Sequence, residues 1–339
     1  MGENRLMQTW VVDRPGSIDG SPLIRIEREL PKPGPGQVRV AISCCGVCRT
    51  DLHLAEGDLA PKRRQVTPGH EVVGRVAALG DGAARFEVGD RVGVAWLGRT
   101  DGSCRFCRRG AENLCTDPTF TGWDVDGGYA DACLVDESYA YAVPDGLEDE
   151  AAAPLLCAGI IGYRALTRAD VPPGGRLGIY GFGGSAHLTA QLALAQGLRV
   201  HVLTRGEHNQ QLARELGCDS VGGAADTPPE RLDGAIMFAP AGELVPVALR
   251  ALDRGGTVAM AGIWSSDIPA LDYAETLFQE RRLVSVTAST REDGETFLAL
   301  AGRLGVRATT VGYPMASALD AMRDLKHGRF GGAAVLHNS

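Results

Sequence analysis

The sequence predicts an α/β protein of two domains, one β-rich and one built on a parallel sheet covered on both faces. Three observations carry this. The chain has 339 residues, more than one ordinary core accommodates. Up to about residue 150, short strands are separated by Pro/Gly turns, with few helical signals. From about residue 153, buried strands alternate with helices, the rhythm of a doubly wound sheet.

The elements follow in order. PGPGQVRVAIS, EVVGRVAALGDG, VGDRVGVAWLG and GGYADACLV read as strands with their turns. RLGIY then reads as a buried strand, SAHLTAQLALAQG as a helix, RVHVLT as a strand and NQQLARELG as a helix. DGAIMFAP, ELVPVALRALD, GTVAMAG and RLVSVTAS continue the alternation. After about residue 289 come the helix GETFLALAGRL and a last helix–strand pair, SALDAMRDLKHG and AAVL.

Composition narrows the function. Hydrophobic residues make up 44% of the chain, typical of a soluble globular protein. The formal net charge is -8 and no strongly basic block occurs, which argues against a nucleic-acid partner. The N-terminal MGENRLMQTWVVDRPG has no apolar signal core, and no apolar run is long enough to span a bilayer. A cytoplasmic location with no membrane partner is expected. The nine cysteines cluster at 44, 45 and 48 and at 104, 107 and 115. In a reducing compartment such clusters point to metal or thiol chemistry rather than disulfides.

Between RLGIY and its helix lies YGFGGSAH. Gly181 and Gly183 fit the first two glycines of a dinucleotide fingerprint, with Ala186 at the third place. Gly181, Phe182, Gly183, Gly184 and Ser185 are thus the expected cofactor loop, its phosphates facing the free N–H groups of the helix start. The next strand, RVHVLT, ends at Thr204 followed by Arg205. An acidic residue there would hold the ribose 2′-hydroxyl of NAD. A hydroxyl and a guanidinium suit a 2′-phosphate instead, so NADP(H) is favoured over NAD(H).

In TDGSCRFCRRGAENLC, Cys104, Cys107 and Cys115 are spaced like zinc ligands. The position three residues before Cys104, where a fourth ligand is expected, is Asp101. A carboxylate corner and a site that has lost its metal both fit this pattern. Other metal-type residues are Cys48 in CCGVCRTDLH, His70 and Glu71 in PGHEVVG, and Cys157 in PLLCAGIIGYRAL. A single cysteine is usually a small buried apolar side chain, and a single histidine is usually hydrogen-bonded rather than a ligand.

Taken together and in this order, GVCRTDLH, GHEVVG continuing to Gly80 and Ala83, the cysteine lobe, LLCAGIIGYRAL and YGFGGSAH resemble the zinc-containing medium-chain alcohol dehydrogenases of the medium-chain dehydrogenase/reductase superfamily. The resemblance covers nearly the whole chain. It implies a GroES-like β-rich catalytic domain at residues 1–152 and 289–339. A Rossmann domain at residues 153–288 would be inserted between the two pieces, with the active site in the cleft.

The resemblance also implies roles. Cys48, His70 and Cys157 would bind a catalytic zinc, leaving the fourth tetrahedral position open. Glu71 would lie near that zinc, and Asp51 would fix the His70 tautomer. Arg49 would touch the cofactor pyrophosphate, and Trp96 would wall the substrate pocket. Cys44 and Cys45 would be packing residues. An alcohol would ionise against the metal and pass its proton to Thr50, through the cofactor ribose to His53 and so to solvent. Imidazole, with an ordinary pKa of about 6.5, suits that last step. Hydride would move to the nicotinamide. Asp101, Cys104, Cys107 and Cys115 would hold a structural zinc; three free thiols at preserved spacing would otherwise be prone to oxidation.

One departure is visible. Many members carry Arg or Lys just before the final strand, where this chain reads RFGGAAVL, with Arg329 the nearest substitute. The expected partner is a small alcohol or aldehyde, and the expected assembly a homodimer or homotetramer joined near residues 283 to 289. The alternatives are a polyol or sugar dehydrogenase of the same fold, or a non-catalytic zinc- and nucleotide-binding protein. Zinc-free quinone or enoyl reductases share the architecture but lack these Cys/His ligands.

Overall fold

A computed structural model describes residues 6–338. Residues 1–5 and 339, which the sequence reading includes at the domain ends and in the N-terminal segment, lie outside the described residues. In chain order, strands β1 (Leu6–Val12), β2 (Leu23–Glu29) and β3 (Gln37–Val47) precede helix α1 (Arg49–Glu56). Then follow β4 (Val72–Leu79), β5 (Arg91–Val94), β6 (Leu97–Arg99), β7 (Thr119–Phe120), β8 (Ala132–Asp136), β9 (Ala140–Ala142) and α2 (Asp149–Ala152). Next come α3 (Ala158–Ala169), β10 (Arg176–Tyr180), α4 (Gly184–Ala195), β11 (Arg199–Leu203), α5 (Glu207–Glu215) and β12 (Ser220–Gly222). They are followed by β13 (Leu232–Met237), α6 (Val245–Ala251), β14 (Leu252–Met260), α7 (Tyr273–Thr276) and β15 (Arg282–Ser285). The chain closes with α8 (Arg291–Leu304), β16 (Thr310–Pro314), α9 (Ala318–His327) and β17 (Ala333–His337).

The chain divides into two compact units. One contains the residues up to Cys157, Ala288–Gly302 and the residues from Arg307 onward. The other contains Ala158–Thr287 and Arg303–Val306. Cys157 therefore groups with the β-rich unit, a few residues beyond the expected boundary at 152.

The β-rich unit has a mixed sheet in the order β16-β17-β3-β4-β5-β9, with β8 pairing β3. Strand β3 is its organiser, antiparallel to β17, β4 and β8. Its alternation buries Val38, Val40 and Ile42 in a core that also holds Leu52, Val72, Val92 and Tyr129. Each such fully buried aliphatic side chain contributes about 1.5–3 kcal/mol. The β1–β2 hairpin and helix α1 were not read from the sequence. Helix α1 is only eight residues long, and five of them are polar (Arg49, Thr50, Asp51, His53 and Glu56), so its apolar stripe is too short to signal a helix.

The second unit has a six-stranded sheet among the described residues, in the order β12-β11-β10-β13-β14-β15. Every pairing is parallel. Numbered within the unit this is 3-2-1-4-5-6, the dinucleotide-binding order, whose strand order reverses at the C-terminal end of β10. The strands are continuous apolar runs because helices cover both faces: Leu177, Ile179 and Tyr180 of β10 are fully buried. No helix among the described residues is long and apolar enough to cross a membrane.

Candidate metal and cofactor sites

Cys48 is the hinge between β3 and α1 and has an extended backbone (φ −104°, ψ 156°). The first turn of α1 closes back on it. Asp51 Oδ2 accepts the Cys48 N–H at 2.9 Å, satisfying a backbone donor that the helix start would otherwise orphan. The other oxygen, Oδ1, accepts the Gly69 N–H at 3.0 Å and lies 3.1 Å from His70 Nδ1. Asp51 and His70 are both buried. A hydrogen on Nδ1 leaves Nε2 as the lone-pair nitrogen, a tautomer set by the carboxylate.

Cys48, His70, Glu71 and Cys157 each offer one donor atom, and these atoms lie within 4.8 Å of one another. The two sulfurs are 3.9 Å apart. His70 Nε2 is buried without a hydrogen-bond partner. A buried polar nitrogen left unpaired costs roughly 1–3 kcal/mol, a cost that a bound ligand would remove. Two sulfurs, an imidazole nitrogen and a carboxylate suit zinc in both softness and number. The residues fit the ion.

The electrostatics are those of a crowded anionic pocket. The Cys157 thiol beside it holds the Cys48 thiol well below its ordinary pKa, opposed by burial and helped by His70. Burial acts to lower the His70 pKa, but the Asp51 carboxylate outweighs it and raises it well above its usual value. Burial, then the charge of Cys48, pushes Glu71 well up. Cys44 and Cys45 are different: both are buried in the sheet, and burial pushes the Cys44 thiol up to about 12.

The second cluster is Asp101, Cys104, Cys107 and Cys115, whose donor atoms also lie within 4.8 Å of one another. It is built on a loop with two single-turn 3-10 segments, Cys107–Arg109 and Glu112–Leu114. Asp101 Oδ1 accepts the N–H groups of Ser103 and Cys104, both at 2.7 Å. These bonds hold its carboxyl well below the usual range. They also leave its other oxygen available, so a single-oxygen contact from Asp101 with three thiolates fits zinc. Arg105 and Arg109 lie over the Phe106 ring, at 4.7 and 4.9 Å. The loop is tied down elsewhere, by Glu112 pairing Arg291 of α8 at 2.6 Å.

Thr50 and His53 share a face of α1, three residues apart. Thr50 Oγ1 lies 3.7 Å from Cys48 Sγ. His53 is half-buried, and its Nδ1 lies 2.9 Å from Asp58 Oδ2, a partner the sequence did not reveal. Arg49 is exposed at the helix start. Trp96 follows β5 and meets His70 edge-on, with ring centroids 4.9 Å apart. Phe120 and Trp123 lie nearly parallel to it at 5.0 and 6.0 Å. Lys62 Nζ sits 4.0 Å from the Trp123 ring and 2.6 Å from Asp124. Phe120 and Trp123 were legible as aromatics, but only the β6–β7 pairing brings them beside Trp96.

In the second unit, Gly181 follows β10 with φ +85°, and a Cβ there would lie 2.8 Å from the Ala239 nitrogen. Only glycine fits both demands. Phe182 is buried, Gly183 caps α4 from an exposed position, Gly184 opens the helix, and Ser185 is half-buried in its first turn. Thr204 is buried, with its hydroxyl 3.4 Å from the Arg205 carbonyl. The Arg205 side chain is exposed. Arg329 pairs with Asp324 at 2.9 Å.

These two units and their sites define a class that comparison with known proteins bears out. The alcohol dehydrogenase GroES-like domain matches residues 34–145, and the zinc-binding dehydrogenase domain matches residues 184–303. The chain is 55% identical over 335 residues to a probable alcohol dehydrogenase, AdhA, of Mycobacterium tuberculosis, covering 97% of each. It is 35% identical to an alcohol dehydrogenase of Geobacillus stearothermophilus, covering 93% of this chain and 96% of that one. Its fold is similar to a cinnamyl alcohol dehydrogenase of Sorghum bicolor, with a TM-score of 0.87, 28% identity and 98% of each chain covered. The chain belongs to the zinc-containing medium-chain alcohol dehydrogenase family. It is an oxidoreductase acting on alcohols, and its cofactors are zinc and a nicotinamide dinucleotide.

The carboxyl of Glu71 rests on the bare backbone of Gly46, where a Cβ would lie 1.9 Å from Oε2. Gly46→Ala is expected to lower stability by about 1–3 kcal/mol through overpacking. Adding Glu71→Ala should recover part of it, measured by thermal or denaturant unfolding of the metal-free proteins in a double-mutant cycle.

Proposed function

We propose that the chain interconverts apolar, flat-faced alcohols with their aldehydes or ketones, using NADP(H) in preference to NAD(H). Cys48, His70 and Cys157 would hold the catalytic zinc, with Glu71 alongside, and Asp101, Cys104, Cys107 and Cys115 a structural zinc. The observation that carries the first site is the buried, unpartnered His70 Nε2 facing two sulfurs and a carboxylate.

Bound zinc supplies Lewis acidity toward an alcohol oxygen, and bound nicotinamide accepts or gives the hydride. The protein's own groups do the rest. The Cys48 and Cys157 thiolates offset the metal's charge. Asp51 holds the His70 ring in one tautomer and orientation. Thr50 Oγ1, close to Cys48, would hold the alcohol's proton. His53 stands one turn further along the same helix face, half-exposed, to exchange a proton with solvent. Asp58 engages its Nδ1, which leaves Nε2 for that exchange. Arg49 and the loop Gly181, Phe182, Gly183, Gly184 and Ser185 would bind the dinucleotide phosphates.

Trp96, Phe120 and Trp123 form an aromatic surface at the His70 edge of the site. Such a surface suits a flat apolar substrate and offers few hydrogen bonds to a polyol, which disfavours the sugar-dehydrogenase alternative. For the cofactor, Arg205 is the exposed cation after β11, where an acidic residue would select NAD.

The assembly is proposed as a homodimer or homotetramer. Strand β15 is the outer strand of its sheet, and Ile263, Trp264, Tyr273 and Phe278 before it are 64–71% exposed, an apolar patch that suits burial against a second copy. A cytoplasmic setting suits nine unpaired thiols.

Kinetics with benzylic or allylic alcohols against glycerol and sorbitol test the function. Turnover of the aromatic substrates should exceed that of the polyols by about 100-fold in kcat/KM, the scale expected when polar hydroxyls meet an apolar wall. NADPH should bind about 10-fold tighter than NADH, with Arg205→Ala erasing the difference. Polyol preference, or equal affinity for NADH, would overturn the respective parts.

Elemental analysis should give two zincs per chain, and one in Asp101→Ala. The variant's melting temperature should fall while its catalytic zinc remains; an unchanged zinc count would remove Asp101 from the ligand set. His53→Gln should slow alcohol oxidation about 10-fold near pH 7 but much less near pH 9, where hydroxide accepts the proton directly. A uniform loss across pH would take His53 out of proton transfer.

A further inference from the structure

The Asp51 carboxylate has one donor beyond those supplied by its own neighbourhood. The Tyr129 hydroxyl lies 3.3 Å from Oδ2. With the Cys48 and Gly69 N–H groups and His70 Nδ1, this gives two donors to each oxygen. A carboxylate offers about four lone-pair sites, so the set is saturated. Tyr129 has no solvent exposure, so water has no ready access to replace the hydroxyl.

The same side chain makes a second contact with the site. Its ring lies on Gly69, where a Cβ would sit 2.5 Å from Tyr129 Cδ1, and Gly69 is held at φ +99°. Gly69 is the residue before His70, and its N–H is one of the four donors. Tyr129 therefore fixes the His70 loop from two directions: its ring seats the backbone and its hydroxyl anchors the carboxylate that orients the imidazole. Strand β1 and the His70 loop hold the Tyr129 backbone in turn: the Trp10 N–H donates to the Tyr129 carbonyl at 2.8 Å, and the Tyr129 N–H donates to the Pro68 carbonyl at 3.0 Å.

We propose that Tyr129 is a positioning residue for the metal site, acting on His70 through Asp51. The inference rests on His70 being a metal ligand, as proposed above. A tyrosine that merely filled the core would need its ring there but not its hydroxyl, and Tyr129→Phe separates the two. The ring keeps its packing on Gly69, so the metal-free variant should still fold, with a melting temperature lowered only by loss of the hydroxyl's bond to the buried carboxylate.

The test uses cobalt(II) in place of zinc, and chelator-driven zinc release. Tyr129→Phe should shift the visible cobalt bands and release zinc from this site about 10-fold faster, the lower end of the effect of losing an outer partner of a metal ligand. Asp51→Asn should do more, and adding Tyr129→Phe to it should move the spectrum no further. Identical spectra and release rates in parent and Tyr129→Phe would overturn the role. So would additive effects of the two substitutions, which would mean that Tyr129 acts independently of Asp51. A parent protein that takes up no cobalt at Cys48, His70 and Cys157 would instead overturn the underlying metal-site reading, a result distinct from both.

Discussion

A single buried carboxylate ties the β-rich unit's chemistry together. Asp51 joins the start of α1, the loop carrying His70, and the segment carrying Tyr129. Taking a carboxylate out of water costs several kcal/mol unless its lone pairs are satisfied. Here four donors from three segments do so, and each is thereby fixed in place. Cys48 is positioned because its N–H is bound. His70 presents Nε2 because Nδ1 is bound. The geometry of the candidate ligand cluster is thus set by a residue that is not itself part of it.

The two clusters of potential ligands are built on different principles. Cys48, His70, Glu71 and Cys157 stand at the ends of regular elements that pack on a hydrophobic core. Asp101, Cys104, Cys107 and Cys115 sit on an irregular loop with single-turn helices and exposed residues, which has little apolar surface to bury. A loop of that kind has one strong external tie, the Glu112–Arg291 pair, and would draw further order from a bound ion. Asp101 adds a compensation of its own. It fills the turn with two backbone hydrogen bonds, a task a thiolate does less well, while presenting one oxygen to the cluster.

Local chemistry was legible in the sequence and distant pairing was not. The cofactor loop follows from a strand, a glycine run and a helix within a few residues, and Gly181 occupies the strained position that the motif assigns it. The parallel sheet follows from uninterrupted apolar strands. Asp51 as partner of His70 came from family resemblance, but Tyr129, 78 residues further on, had no local signal and looks like any β-strand aromatic. The partnership of Glu112 with Arg291 spans 179 residues and is equally silent. Helix α1 was missed because its exposed and half-buried face is polar: eight residues that include Arg49, Thr50, Asp51, His53 and Glu56 leave too short an apolar stripe to display a helical period.

The aromatic surface follows from that same logic of position. Trp96 breaks the run between β5 and β6, a place where a strand side chain would ordinarily be core. Its edge contact with His70 puts an apolar ring where a water or a polar side chain could otherwise bind the imidazole's surroundings. Phe120 and Trp123 extend the surface outward, and Lys62 closes its far end with a cation held to Asp124. On the proposed function, a substrate lying along it would meet an oxygen-binding end at the ligand cluster and an apolar length beyond. Discrimination would then depend on what the substrate carries past its first carbon. A second hydroxyl there would give up hydrogen bonds to water and regain none from three aromatic faces, at a cost of about 1–3 kcal/mol each. Chain length alone would be tolerated, since one methylene against an apolar wall changes binding by only about 1 kcal/mol. On the proposed function, polarity along the wall rather than size would set the constraint on substrate.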